Sequence, residues 1–301
     1  MVGRAGPRHV VVGVDGSPES VEATRYAAHE AALRGLELMV GHAYRPGASP
    51  DGQDAHERRS TGQALVDEVL SHVAVAPTTV VHTVVEGTST TGLLTALAAE
   101  ATLLVLGRHH FDVADGDLAG SVASEVAAGA RCTVVVVPAG WKSTVTRSAH
   151  LGLRPVVVGM SETTSATSVL QLAFDEAELR RASVLVLHAS TPVEARTLRR
   201  AATRRTAAEL VAGQSQDHPD VAVDYRFVAV QTVPALVDVS ARASLLVLGR
   251  PPVHHGRRPW RHSVARAMLH QSRCPLVIVP PGPEPTRSDG RSATGAPVLV
   301  P

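Results

Sequence analysis

The chain repeats itself. A repeat constrains the fold more than any other feature here, because each unit must build its core from the same pattern. Residues 101–108 read ATLLVLGR and residues 243–250 read ASLLVLGR, an offset of 142 residues. The same offset pairs Ser121-Val122-Ala123 with Ser263-Val264-Ala265, Arg131-Cys132 with Arg273-Cys274, and Val137-Pro138 with Val279-Pro280. Nearer the start the offset is 146: Val12-Gly13 matches Val158-Gly159, and His42-Ala43 matches His188-Ala189. Copy two has lost four residues in its middle. At 301 residues, the chain has length for two domains.

Each copy alternates short apolar runs with longer stretches of helical period. In copy one the pattern predicts strands near 9–15, 36–43, 79–85, 102–107 and 132–137, and helices near 18–34, 52–74, 89–99 and 120–129. Copy two repeats the strands near 155–160, 183–189, 221–228, 244–249 and 275–279. Runs such as Val134 to Val137 are apolar at every position, which suits a parallel sheet covered on both faces. The expected fold class is therefore α/β, with two tandem doubly wound open parallel-sheet domains of five strands, one sheet to each copy. Its boundaries fall at 1–8 (disordered N-terminus), 9–138 (domain 1), 139–153 (linker), 154–280 (domain 2) and 281–301 (Pro- and Gly-bearing disordered tail).

Aromatic residues make up only 3%, so the cores must be built from Val, Leu and Ala. Residues 1–140 hold nine Arg against sixteen acids, and residues 141–301 hold twenty Lys and Arg against twelve acids. The halves are expected to attract one another, and neither suits nucleic acid. The basic stretch from Arg196 to Arg205 is flanked by Glu194 and Glu209 and reads as a solvated helix face. Cys132 and Cys274 each open an apolar run, so buried thiols in a reducing cytosol are expected rather than a disulfide framework. No run reaches the ~18–20 apolar residues of a membrane span, and no apolar signal-peptide core precedes Pro7.

Ligands of a doubly wound sheet bind beyond the carboxyl ends of its strands, where the strand order reverses. Two loops reach that edge. The first is Val12-Gly13-Val14-Asp15-Gly16-Ser17-Pro18, in which Ser17 suits a helix cap and Pro18 the first helical position. Asp15 reads either as an acceptor for a nucleoside or a metal-bound water, or as a turn residue satisfying its own backbone. The second loop runs from Gly107 over twelve residues to Gly120-Ser121-Val122, which opens a helix. A helix start of this kind attracts phosphate through its free N–H groups and dipole, or is simply capped by its serine.

The opening VVVGVDGSPES, the LLVLGR strand, the Gly-Ser-Val turn and the closing CTVVVVP run resemble the universal stress protein family, over both copies. The resemblance implies an adenine-nucleotide-hydrolase-like fold and a cytosolic stress-response role. Its ATP-binding members carry Gly, two residues, Gly, nine residues, then Gly-Ser or Gly-Thr. Copy one matches at Gly107, Gly120 and Ser121, with His110 where the second glycine belongs. The resemblance implies nucleotide contact at Gly13, Asp15 and Gly107, and phosphate contact at Gly120, Ser121 and Val122. The His110 side chain obstructs close backbone approach there, or donates to a phosphate when protonated. ATP or ADP, with magnesium, is accordingly expected in domain 1.

Domain 2 departs further. Ser161 replaces the aspartate, Pro252 the second glycine, and His262 the glycine before Ser263. No nucleotide is expected there. The loop bearing Asp112, Asp115 and Asp117 in copy one is matched by Arg250, Arg257, Arg258 and Arg261 with Trp260 in copy two. Those arginines read as an anion holder or as a solvated loop. The pairs His109-His110 and His254-His255 lack Cys or carboxylate partners at ligand spacing, so no metal site is expected.

There is no GxxxxGK[ST] loop, no GxSxG elbow and no evident base–nucleophile pair, so the chain is not expected to be an enzyme. A nucleotide-independent scaffold and a very slow ATPase are the alternative functions. The last strand of each copy is an apolar edge that must be covered. In the resembled family this surface makes dimers, which predicts an intrachain pseudo-dimer and a further homodimer.

Overall fold

The computed structural model of the protein describes residues 9–45, 54–108, 121–141, 154–160, 166–189, 199–251 and 259–282. The expected terminal tails and most of the linker lie outside the described residues, as do His109, His110, Gly120, Ser161, Pro252, the acidic loop residues, Arg257 and Arg258.

Copy one runs β1 (His9–Gly13), α1 (Pro18–Arg34), β2 (Glu37–Tyr44), α2 (Ala55–Ser71), β3 (Val81–Gly87), α3 (Thr90–Ala98), β4 (Ala101–Gly107), α4 (Val122–Gly129) and β5 (Thr133–Val137). Copy two repeats this as β6 (Val156–Gly159), α5 (Ala166–Arg180), β7 (Val184–Ala189), α6 (Arg199–Asp217), β8 (Val223–Val228), α7 (Thr232–Ser240), β9 (Leu245–Gly249), α8 (Val264–Gln271) and β10 (Leu276–Val279). No described helix is long and apolar enough to cross a membrane.

Local chemistry sets the helix ends. Ser17 caps α1 by accepting from the Ser20 amide, and Pro18 occupies the first turn, where a missing N–H costs nothing. Gly35 ends the same helix at φ +63°, a conformation that needs no Cβ.

Within each copy the parallel strands follow the order 3-2-1-4-5, so the direction of winding reverses beside β1 and β6. Alternate residues of the strands feed two layers. One, containing Val10, Val12 and Val105 with their copy-two counterparts Val156, Val158 and Val247, packs under α1, α2 and α5. The other, containing Val11, Leu104 and Leu106, packs under α3, α4, α7 and α8. Burial on both faces explains strands that are apolar at every position.

The expectation of one separate sheet to each copy is corrected. β5 and β10 pair antiparallel, with Val135 opposite Val277, and merge the halves into one ten-stranded sheet. The physical reason is the edge itself: two equivalent apolar strands satisfy their open N–H and C=O rows on one another. Related by a pseudo-two-fold axis, they must run in opposite directions. Each five-stranded half keeps its own order, so the duplication remains visible.

The contacts around this seam obey the same symmetry. Arg34 and Arg180 each pair with both Glu30 and Glu176, closing a four-residue ring across the axis. Glu30 is 1% exposed, so these charges persist only because they are paired. Sequence reasoning missed this ring. Its signal is Glu30-Ala-Ala-Leu-Arg34 recurring as Glu176-Ala-Glu-Leu-Arg180 at the same 146 offset. Each copy supplies one acid and one base, so this docking contact does not use the unequal charge of the halves.

The arginine-loop expectation is corrected at two positions. Arg250 donates to the carbonyls of Ala127 and Ala130 at the end of α4, so it caps a helix rather than holding an anion or lying in solvent. Trp260 is buried and its indole N–H donates to Ser124 Oγ of copy one at 3.2 Å. Arg261 is exposed. From the basic stretch, Arg205 is exposed as expected, and Arg196 lies outside the described residues.

Candidate functional site

A cleft of ≈ 290 Å³ opens beyond the carboxyl ends of β1 and β4, at the reversal of strand order. Gly13, Asp15, Gly107, Ser121 and Val122 all line it, so two loops about a hundred residues apart converge as the topology rule requires. His110 and Gly120, the remaining expected site residues, lie outside the described residues.

Three helices begin at this cleft. Ser17 and Ser20 mark the start of α1, Thr90 that of α3, and Ser121 with Val122 that of α4. Ser121 caps α4 by accepting from the Ser124 amide at 3.1 Å, and the first intrahelical bond runs from Glu125 N to Ser121 O. The Val122 and Ala123 amides precede that bond and belong to the positive end of the helix dipole. Converging helix starts favour an anion.

Asp15 is exposed, and its Oδ1 accepts from the Ser17 amide at 3.0 Å and from Ser17 Oγ at 2.6 Å. The carboxylate therefore serves its own turn, as one of the two readings held, and is oriented by it. Gly16 makes this turn at φ +84°.

The glycines of the cleft also carry a packing load. A Cβ on Gly107 would lie 2.6 Å from the Glu19 carbonyl oxygen, and one on Gly13 would lie 2.9 Å from Leu94. Gly107 lets β4 end against the backbone of α1. At Gly107 packing alone requires glycine, whereas at Gly13 the tips of Leu94 and Leu106 would have to give way.

Two ionisable cleft residues escaped the sequence reading. Arg108 follows Gly107, and its Nη1 donates to Ser272 O of copy two at 2.6 Å. His270 reaches the cleft from α8, also in copy two, and its Nε2 is buried without a hydrogen-bond partner. Burial, with Arg266 and Arg108 close by, pushes the imidazole below its ordinary value of 6.5. The repeated LLVLGR motif could have flagged Arg108; His270 has no local signal.

Copy two keeps an equivalent cleft of ≈ 430 Å³. Thr232, Ser263 and Val264 stand where Thr90, Ser121 and Val122 stand in copy one, and Ser263 caps α8 from the Arg266 amide at 3.1 Å. His262 lines it where the sequence alignment puts Gly120.

The model of the universal stress protein family matches residues 6–138 and again 152–280. The chain belongs to this family. It is 30% identical over 308 residues to Universal stress protein MT2052 of Mycobacterium tuberculosis, covering 89% of this chain and 94% of that one. It is 29% identical over 292 residues to Universal stress protein Rv2623 of the same species, covering 89% and 95%. Among solved structures, a universal stress protein from Archaeoglobus fulgidus superposes with a TM-score of 0.69 over 92% of this chain and 97% of its own, at 14% identity. That last likeness is one of fold alone.

Proposed function

We propose that copy one of this universal stress protein binds an adenine nucleotide, ATP or ADP with magnesium, and that copy two is its structural half. The output is a regulatory change in conformation or partner contact within a stress response in the cytosol, with no turnover. The observation that carries this reading is the convergence of Asp15 and the start of α4 on one cleft.

The residues present fit such a ligand. Helix starts and the Arg108 guanidinium favour phosphate oxygens, and the carboxylate of Asp15 suits a ribose hydroxyl or a magnesium-bound water. The cavity lies at the small end of the ~300–1,000 Å³ typical of ligand sites, which suits the nucleoside with its phosphates over the open rim. Buried thiols agree with a reducing compartment: burial pushes Cys132 up to about 11 and Cys274 up to about 12. A homodimer of the whole chain would need a surface other than β5 and β10, which are already paired with one another.

Asp15, held in its own turn, also favours a second reading in which the chain is a nucleotide-independent scaffold. Calorimetric titration of the full chain with magnesium ATP separates the two. The first reading expects saturable binding, weakened at least tenfold by Asp15→Ala. Equal binding by parent and variant removes the carboxylate's role, and no binding leaves the scaffold.

A further inference from the structure

We propose that His9, Glu37 and His82 form a binding site for a divalent transition-metal cation, of which zinc is the type that suits the donors. The triad lies at the amino-terminal ends of β1 and β2 and on β3, the edge of the sheet away from the nucleotide cleft. His9 Nε2 is 3.1 Å from Glu37 Oε2, and His82 Nε2 is 3.0 Å from the same oxygen. All three donor atoms lie within 4.8 Å of one another. Zinc bonds of ~2.0–2.1 Å to nitrogen and oxygen place tetrahedral ligands ~3.3 Å apart, so only small side-chain movements separate this cluster from a coordinated one.

Backbone pairing delivers the arrangement. His9 and Glu37 are register partners, and His82 sits opposite Met39, two residues beyond Glu37. The three side chains therefore share one face of the sheet. The His9 and His82 rings meet edge-on at 73°, with their centroids 6.1 Å apart. Side-chain exposures of 26%, 40% and 46% leave a fourth position open to solvent.

The duplication supplies an internal control. In copy two the equivalent positions are Pro155 and Ser183, just before β6 and β7, and Asp224 on β8, with the three strands paired in the same register. The same three-strand frame forms there without the triad, so folding does not require two imidazoles around one carboxylate. Imidazole and carboxylate donors together suit zinc and its neighbours rather than magnesium or calcium.

The test uses the metal-free full chain titrated with zinc chloride, alongside His9→Ala, Glu37→Gln and His82→Ala. Each variant is expected to lose more than about tenfold in affinity for this site, and zinc is expected to raise the parent's melting temperature but not that of His82→Ala. Where an alanine variant fails to fold, His82→Gln keeps the length and polarity of the side chain. X-ray absorption of the loaded parent should show two imidazole nitrogens. Absence of saturable uptake, or affinities in the variants equal to the parent's, overturns the site; the latter places the bound zinc on other histidines.

Discussion

Arg108 and Arg250 perform one task in opposite directions across the seam. Arg108 Nη1 donates to Ser272 O at 2.6 Å beyond α8, and Arg250 Nη1 donates to Ala130 O at 2.7 Å beyond α4. Donors and acceptors are each 142 residues apart. The last carbonyls of a helix carry partial negative charge, so a guanidinium placed there bonds to them and complements the dipole. Arg250→Ala should therefore destabilise the chain by about 1.5–3 kcal/mol, in the range for a hydrogen bond to a charged group. Both bonds leave the one nitrogen Nη1, so a lysine ammonium that reaches the same point should recover part of the loss. Chemical denaturation measures both variants.

The ring of Glu30, Arg34, Glu176 and Arg180 predicts a larger loss. Arg180→Ala leaves two buried carboxylates facing one arginine, and removing one partner of a buried pair costs about 3–5 kcal/mol. Replacing Arg180 and Glu30 together should cost less than the sum of the single losses, a coupling that a double-mutant cycle reads directly.

Trp260 separates an interface residue from a loop residue. Trp260→Ala should cost about 3–5 kcal/mol by emptying its buried seat against copy one, with the Ser124 hydroxyl losing its indole partner. A residue on a solvated loop would change stability by no more than about 0.5 kcal/mol. Thermal unfolding distinguishes these outcomes.

Gly107→Ala tests packing against ligand contact. Its new methyl group meets the Glu19 carbonyl, so the variant should lose about 1–3 kcal/mol with no nucleotide present. Unchanged stability would return Gly107 to a purely ligand-facing role.

His270 sets a pH dependence. Its folded value is lowered by burial and then by Arg266 and Arg108. Below the ordinary value of 6.5 the unfolded chain binds the proton more readily than the folded one. Stability from the neutral imidazole is thus present above about pH 6.5 and lost as pH falls through the lowered folded value. Denaturation midpoints measured across this window should fall towards acid less steeply in His270→Asn than in the parent.

Most of the strand frame was legible because parallel strands buried on both faces leave unbroken apolar runs, and because the repeat shows each run twice. The helix α1 was legible for a local reason, its Ser17-Pro18 start. The merged sheet was not, since an apolar edge predicts that something covers it but not that hydrogen bonding continues through. The repeat marks Arg108 and Arg250 as a pair but not their partners, because the acceptors are main-chain carbonyls, which any residue offers. The packing role of Gly107 was not legible for a related reason: a glycine that admits a neighbouring backbone looks, in sequence, like one that admits a ligand. Asp15 and Ser121 did come together, since both are fixed to strand and helix ends that the topology brings to one edge.

In this symmetric frame only the copy-one cleft is proposed to bind nucleotide. Amide resonances of the full chain, followed during titration with magnesium ATP, test it most directly. The account predicts shifts at Val122 and Ala123 at the start of α4, with Val264 and Ala265 at the start of α8 unmoved. Equal shifts at both helix starts, or none at Val122 and Ala123 under saturating nucleotide, would contradict it.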